Sequence, residues 1–304
     1  MKRISLVSCL ASLVLVSLPQ AGCQSTPDED DQGVKVLMIG NSFSICLLNH
    51  LPQVAADRGC KLDLASLYIG GCSLERHWQN VVSNGVSETF RPYLFGRNRF
   101  GTYTQGKANV CDVLKMAKWD IVTLQQASHF SWKADTYHPY GDKLVAKIRE
   151  LAPQAKIVVQ ETWSYTPWDK RLAAWGIGQD EMYAKLHEAY GAFARPYGFP
   201  VIPFGTAVQE WRRRLPVKYT ENSFGGDVVG GRSRAKEDQF KRDSSYKWVP
   251  NGDVFHLNEK GEYFQALVWA KCLLDVKPTD VGYKPEYVTD DEAKLMKEIA
   301  AEMK

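Results

Sequence analysis

The 304 residues carry 38 basic and 35 acidic side chains, a formal net charge of +3. So even a balance gives no reason to expect nucleic acid or an anionic membrane surface as a partner. Past the N-terminus nothing is apolar enough to cross a bilayer, and the remaining length suits one large domain with insertions.

Lys2 and Arg3 precede an uncharged apolar stretch, Ile4 to Leu18, with the length and flank of a signal peptide over residues 1–22. Ala21-Gly22-Cys23 resembles a bacterial lipoprotein signal in which Cys23 would carry the lipid, although Gln20 stands where that pattern usually has Leu. Ordinary secretion with cleavage near Ala21 or Gly22 is the alternative. A membrane partner is expected only through that lipid. Residues 23–33, with Asp28-Glu29-Asp30-Asp31, read as a solvated tether.

From residue 34 onward strand-like and helix-like segments alternate. Val34–Ile39 is a continuous apolar run ended by Gly40, the pattern of a buried parallel strand. Ile45 to Gly59 has helical spacing, with Leu47, Leu48, Leu51, Val54 and Ala55. Further strands are expected at Lys61–Tyr68, Asp120–Leu124, Lys156–Val159 and Pro200–Pro203. Further helices are expected at Val110–Lys118, Pro139–Leu151, Glu181–Arg195, Gly205–Leu215, Glu259–Val276 and Asp290–Met303. Short strands alternating with longer helices predict a parallel sheet covered on both faces, with its site at the carboxyl ends of the strands. Ser42, Gly71, Gln125 and Trp163 each follow a predicted strand. Residues 80–109 and 216–252 are too long for ordinary connections and are read as insertions that shape or cover the site, a surface loop being the alternative for the second. Residues 277–304 form a tail whose last helix has Leu295, Met296 and Ile299 as its packing face.

The seven cysteines include Cys9 and Cys23 in the N-terminal segment; the other five have spacings that match no zinc template. Most are expected to be small buried residues. Neither a metal nor another cofactor is expected, because Glu161 and Asp120 form no ligand cluster with a histidine and the glycine pairs after residue 224 lack the context of a phosphate loop.

Two motifs carry chemistry. Gly40-Asn41-Ser42-Phe43-Ser44 puts a serine where a strand turns into a helix. Asp253-Val254-Phe255-His256 puts a carboxylate three residues before a histidine, just ahead of a long helix. Serine, base and orienting acid are the parts of a hydrolytic nucleophile. Taken alone, Asn41-Ser42 reads more readily as a helix cap and His256 as a surface-loop residue; it is the pairing of the two motifs that favours chemistry. His50 and His187 lie inside helix patterns and read as structural, whereas His77 and His129 follow sheet ends and could line a pocket.

Together with Gly70-Gly71 after the second strand and a polar pair after the third, these motifs resemble the SGNH hydrolases over about residues 34–276. The Gly-Asn-Ser in place of Gly-Asp-Ser is similar to a little-characterised bacterial branch. The resemblance implies an α/β, flavodoxin-like three-layer sandwich with a central parallel sheet. It implies Ser42 as nucleophile, His256 as base and Asp253 as its orienting acid. Its oxyanion hole would use the Ser42 N–H, the Gly71 backbone and a side-chain amide. The family's Gly-x-Asn-Asp turn is missing here, and Leu124-Gln125-Gln126-Ala127-Ser128 stands instead, so Gln125 is favoured for that amide and Gln126 is second. Asn41, His77, Ser128 and Trp163 are candidate substrate contacts. The implied activity is cleavage of short acyl esters, acetyl above all, on a glycan or other small substrate. A non-catalytic glycan-binding protein on the same scaffold, and a lipase or thioesterase, are the alternatives.

Overall fold

The computed structural model describes residues 33–83, 88–93, 106–215, 226–230, 232–233, 248–249 and 253–304. The signal-like segment and most of the 216–252 insertion therefore lie outside the described residues. Five strands form a parallel sheet: β1 (Val34–Gly40), β2 (Leu62–Tyr68), β5 (Ile121–Leu124), β6 (Lys156–Gln160) and β7 (Val201–Ile202). Their spatial order is β2-β1-β5-β6-β7, the flavodoxin-like arrangement in which sites form where the strand order reverses, at the carboxyl end of β1. Val36, Leu37, Met38 and Ile39 of β1 are fully buried, as a strand covered on both faces requires.

Two further strands, β3 (Glu88–Tyr93) and β4 (Gly106–Ala108), continue the sheet antiparallel beyond β2, giving the order β4-β3-β2-β1-β5-β6-β7. Part of the first insertion is therefore sheet edge, where a site cover was expected.

Helices flank the sheet. One group is α3 (Leu74–Val82), α4 (Val110–Lys115) and α5 (Tyr140–Leu151), which pack on one another. Another is α2 (Leu51–Asp57), α8 (Phe204–Arg214), α9 (Glu259–Leu274) and α10 (Asp290–Glu302), with α7 (Gln179–Ala194) against α8. The single helix expected from Ile45 to Gly59 is instead a four-residue α1 (Ser42–Ile45), a 3-10 turn at Cys46–Asn49 and then α2. Pro52 sits in the first turn of α2, where its missing N–H costs nothing, and His50 ahead of it leaves the helical region at φ −136°. The short helix α6 (Lys170–Trp175) follows the loop after β6 and was not anticipated, nor was α3.

Between α8 and α9, residues 226–230 are anchored onto the segment that carries His256. Gly230 N–H donates to the His256 carbonyl at 2.8 Å, and Asn258 N–H donates to the Val228 carbonyl at 3.1 Å. Arg212 and Asp227 form a buried ion pair at 3.0 Å beneath it. The short strands β8 (Arg232–Ser233) and β9 (Trp248–Val249) pair antiparallel within the second insertion. Among the described residues no helix is long and apolar enough to cross a membrane, and no disulfide joins Cys46, Cys60, Cys72, Cys111 and Cys272.

Candidate active site

The site forms where β1 ends. A Cβ on Gly40 would lie 2.5 Å from Ser44 Oγ and 3.1 Å from Gln125 Cδ, so only glycine lets the chain turn here. Asn41 is the N-cap of α1: its Oδ1 accepts from the Phe43 N–H at 3.0 Å. Ser42 then occupies the first helical position, where its backbone N–H has no intrahelical partner. One turn of helix suffices because the end of α1 is held from two sides. The Phe43 carbonyl accepts from Gln160 Nε2 at 2.9 Å and from Gln265 Nε2 at 3.0 Å.

Ser42 Oγ lies 2.9 Å from His256 Nε2, and His256 Nδ1 lies 2.8 Å from Asp253 Oδ2. The other carboxylate oxygen, Oδ1, accepts from the backbone N–H groups of Phe255 (3.1 Å) and His256 (3.0 Å). Burial by itself would raise the Asp253 pKa, but the hydrogen bonds from the His256 ring and backbone outweigh it and hold the carboxyl at about 2. A carboxylate can only accept, so Nδ1 carries the proton and Nε2 presents its lone pair to Ser42. The fold thus joins two motifs 214 residues apart into a serine–histidine–aspartate chain of hydrogen bonds.

The loop after β6 supports that chain from behind. Trp163 is fully buried, its ring stacked on Phe43 with centroids 4.1 Å apart, and its Nε1–H donates to the Phe255 carbonyl at 2.8 Å. Thr166 donates to the Val254 carbonyl from both its N–H (3.1 Å) and its hydroxyl (3.0 Å). Trp163 is therefore a wall of the histidine loop, where a substrate contact was expected.

Three other expected contacts are also committed within the protein. His77 is fully buried and its Nε2–H donates to the Gly40 carbonyl at 3.1 Å, pinning the end of β1 from below. Ser128 Oγ lies 2.8 Å from the Tyr165 hydroxyl. Asn41 Nδ2 donates to the Cys72 carbonyl at 3.0 Å, which ties the Gly71 turn to the serine turn. Gly71 itself is exposed, at φ +62°, in the left-handed region that favours glycine.

The glutamines do not stand where an oxyanion donor was expected. Gln125 Nε2 donates to Asn41 Oδ1 at 2.6 Å and so fixes which way the asparagine amide points. Gln126 Nε2 donates to the carbonyl (2.9 Å) and hydroxyl (3.2 Å) of Thr136, while its Oε1 accepts from the N–H groups of Leu74 and Ala127. Both side chains are buried; Gln126 binds backbone groups of the surrounding turns, whereas Gln125 binds the Asn41 side chain.

Two further residues border it: Arg171, which sequence reasoning did not assign to the site, and His129, which it expected as a pocket-lining residue. Arg171 lays its guanidinium over the rings of Tyr165 (4.2 Å) and Phe255 (4.1 Å) and is held by Asp169 at 2.5 Å. The sequence signal was Asp169-Lys170-Arg171, an N-cap aspartate with the arginine two residues on, but nothing there pointed back at Phe255. His129 is half-buried and lies against the open side of Gly71. Among the described residues no group of three or more His, Cys, Asp and Glu side chains is placed to hold a metal ion.

A crystal structure of a DUF4886 family protein from Bacteroides uniformis is similar to this chain, with 28% identity, a TM-score of 0.71 and coverage of 88% of this chain and 93% of the other. Weaker likenesses are a Slackia heliotrinireducens protein provisionally described as an SGNH hydrolase (21% identity, TM-score 0.45, 79% and 98% covered) and the acetyl xylan esterase AlAXEase (11%, 0.46, 77% and 96%). No curated protein matches the chain. Residues 35–229, more than half of the sequence and inclusive of Ser42, match the family described as Domain of unknown function (DUF4886), and the chain belongs to that family.

Proposed function

We propose that this protein is an exported serine hydrolase that cleaves short acyl esters, acetyl above all, carried on carbohydrate. The observation that carries the reading is the unbroken relay from Ser42 Oγ through His256 to Asp253, at 2.9 and 2.8 Å. Ser42 Oγ attacks the ester carbonyl carbon as its proton passes to His256 Nε2. The carbonyl π electrons move to the oxygen, which the Ser42 N–H and the Gly71 turn stabilise. The carbon–oxygen bond to the alcohol breaks, and His256 gives that alcohol its proton. Water then repeats the cycle on the acyl-serine and releases the acid. Asp253 stays ionised throughout and holds the Nδ1–H.

Export, by a lipid on Cys23 or by plain secretion, is supported by the signal-like residues 1–22. The acetylated glycan is supported by the sequence resemblance and by that address. The test is hydrolysis of p-nitrophenyl acetate by the full-length protein beside Ser42→Ala, which is expected to lose at least about 10³-fold in kcat. Retention of turnover in Ser42→Ala would overturn the mechanism. A panel of acetylated polysaccharides then ranks substrates by acetate released.

A further inference from the structure

Gln125 and Gln126, the side chains expected to donate to the oxyanion, are committed to Asn41 and Thr136. His129 lies four residues beyond Gln125 on the loop after β5. It is also the nearest neighbour to the open side of Gly71: a Cβ built there would find only His129 Cε1, at 4.0 Å. Cε1 is the ring carbon between the two nitrogens, so the ring approaches the glycine by the corner that has a nitrogen on either side. Neither His129 nitrogen has a hydrogen-bond partner among the described residues, and the ring is steadied by Phe130, with centroids 4.2 Å apart. Asn41 binds the Cys72 carbonyl at 3.0 Å, so Gly71, and His129 with it, is drawn to the edge of the serine turn.

We propose that His129 is a catalytic residue, donating a ring N–H to the ester oxygen as it becomes an oxyanion. The inference rests on the hydrolase reading above and supplies the side-chain donor that reading lacks. The ring proton stays on His129 throughout, and no bond to it forms or breaks. Burial, together with the charges of Arg171 and Lys133, lowers the His129 pKa, so the ring is neutral at neutral pH, keeps one N–H and needs no counterion. A neutral donor fixed before the reaction is the kind that stabilises charge developing in the transition state.

The test is steady-state hydrolysis of p-nitrophenyl acetate by wild type, His129→Ala and His129→Gln, with thermal melting of each. His129→Ala is expected to lose about 10²-fold in kcat, with KM changed less than about threefold. His129→Gln, whose amide can donate from a similar reach, is expected to recover about tenfold of that loss. Wild-type kcat in His129→Ala would overturn the proposal. So would equal losses in Ala and Gln variants that track a lowered melting temperature, since that is the pattern of a packing residue. If the folded wild-type protein neither turns over the ester nor labels Ser42 with a fluorophosphonate, the hydrolase reading falls and this one with it. An active wild type with an unaffected alanine variant removes His129 alone.

Discussion

Asp253 does two things with one carboxylate. Oδ2 receives the His256 Nδ1–H, and Oδ1 caps the turn by accepting from two backbone N–H groups. Its pKa of about 2 is depressed from the ordinary carboxylate value, so the stability it contributes is complete above about pH 4 and is lost as pH falls toward 2. Asp253→Asn keeps the acceptor for the backbone but turns an amide toward Nδ1, which favours the wrong tautomer. Its kcat is expected to fall by about 10³- to 10⁴-fold. Urea unfolding at pH 7 and pH 2.5 is expected to show a smaller loss on acidification for Asp253→Asn than for wild type; equal losses would show that the carboxylate is not the group being protonated. This pairing was readable in the sequence, because a three-residue spacing lets the acid fold back on the histidine. The glutamines were not. A side-chain amide announces that it can donate, but its target depends on which turns it lies between, and that is decided by Thr136 and Asn41 from elsewhere in the chain.

At the level of elements, the serine turn and the Gly71 turn come from different β–α units, and the Asn41 side chain joins them. Asn41 gives its Nδ2–H to the Cys72 carbonyl and receives on Oδ1 from the Phe43 N–H and from Gln125. Aspartate could make the two acceptances but not the donation, and it would set a buried negative charge against a carbonyl. Asn41→Asp is therefore expected to cost about 1–3 kcal/mol in stability and to lower kcat more than it raises KM. Gln125→Ala removes the group that orients the amide. A double-mutant cycle between Asn41→Ala and Gln125→Ala is expected to give a coupling of about 0.5–3 kcal/mol in unfolding free energy; strict additivity would show the two act independently. Element types were legible where a periodicity ran unbroken, as in β1, α5 and α9. They were not where a local residue interrupted it. Pro52 split the expected first helix. Within 80–109, read only as an insertion, Glu88–Tyr93 forms a strand that tolerates Pro92 because β4 pairs only with Glu88, Thr89 and Phe90, which leaves Pro92 on an edge among the described residues.

At the scale of the whole molecule, the site is built from residues between Gly40 and Gln265, and the last 28 residues support it through α2 and α9. Residues 277–304 are not a loose end. His50 sits between the hydroxyls of Tyr283 (2.9 Å) and Tyr287 (2.7 Å), and Asp57 accepts from the Gly282 N–H at 2.7 Å, so the tail is fastened to α2. Lys271 donates to the Ala301 carbonyl at 2.7 Å and Lys260 pairs with Glu292, so it is fastened to α9 as well. Val281, Val288, Met296, Ile299 and Ala300 are buried in the same core as β1. Helix α9 is also the element whose Gln265 holds the Phe43 carbonyl, one residue from the nucleophile. Loss of the tail would therefore loosen α9 and reach the serine turn through that bond. Burying each large apolar side chain is worth about 1.5–3 kcal/mol, and a domain's net stability is only about 5–15 kcal/mol. A chain ending at Val276 is accordingly expected to be unfolded or insoluble. The graded version separates support from chemistry: Ile299→Ala is expected to lower unfolding free energy by about 2–5 kcal/mol while kcat, measured well below the melting transition, stays near wild type. A truncated chain that melts like the full one would mean that the core closes before residue 277; an Ile299→Ala protein with wild-type stability but depressed kcat would place the tail in the chemistry after all.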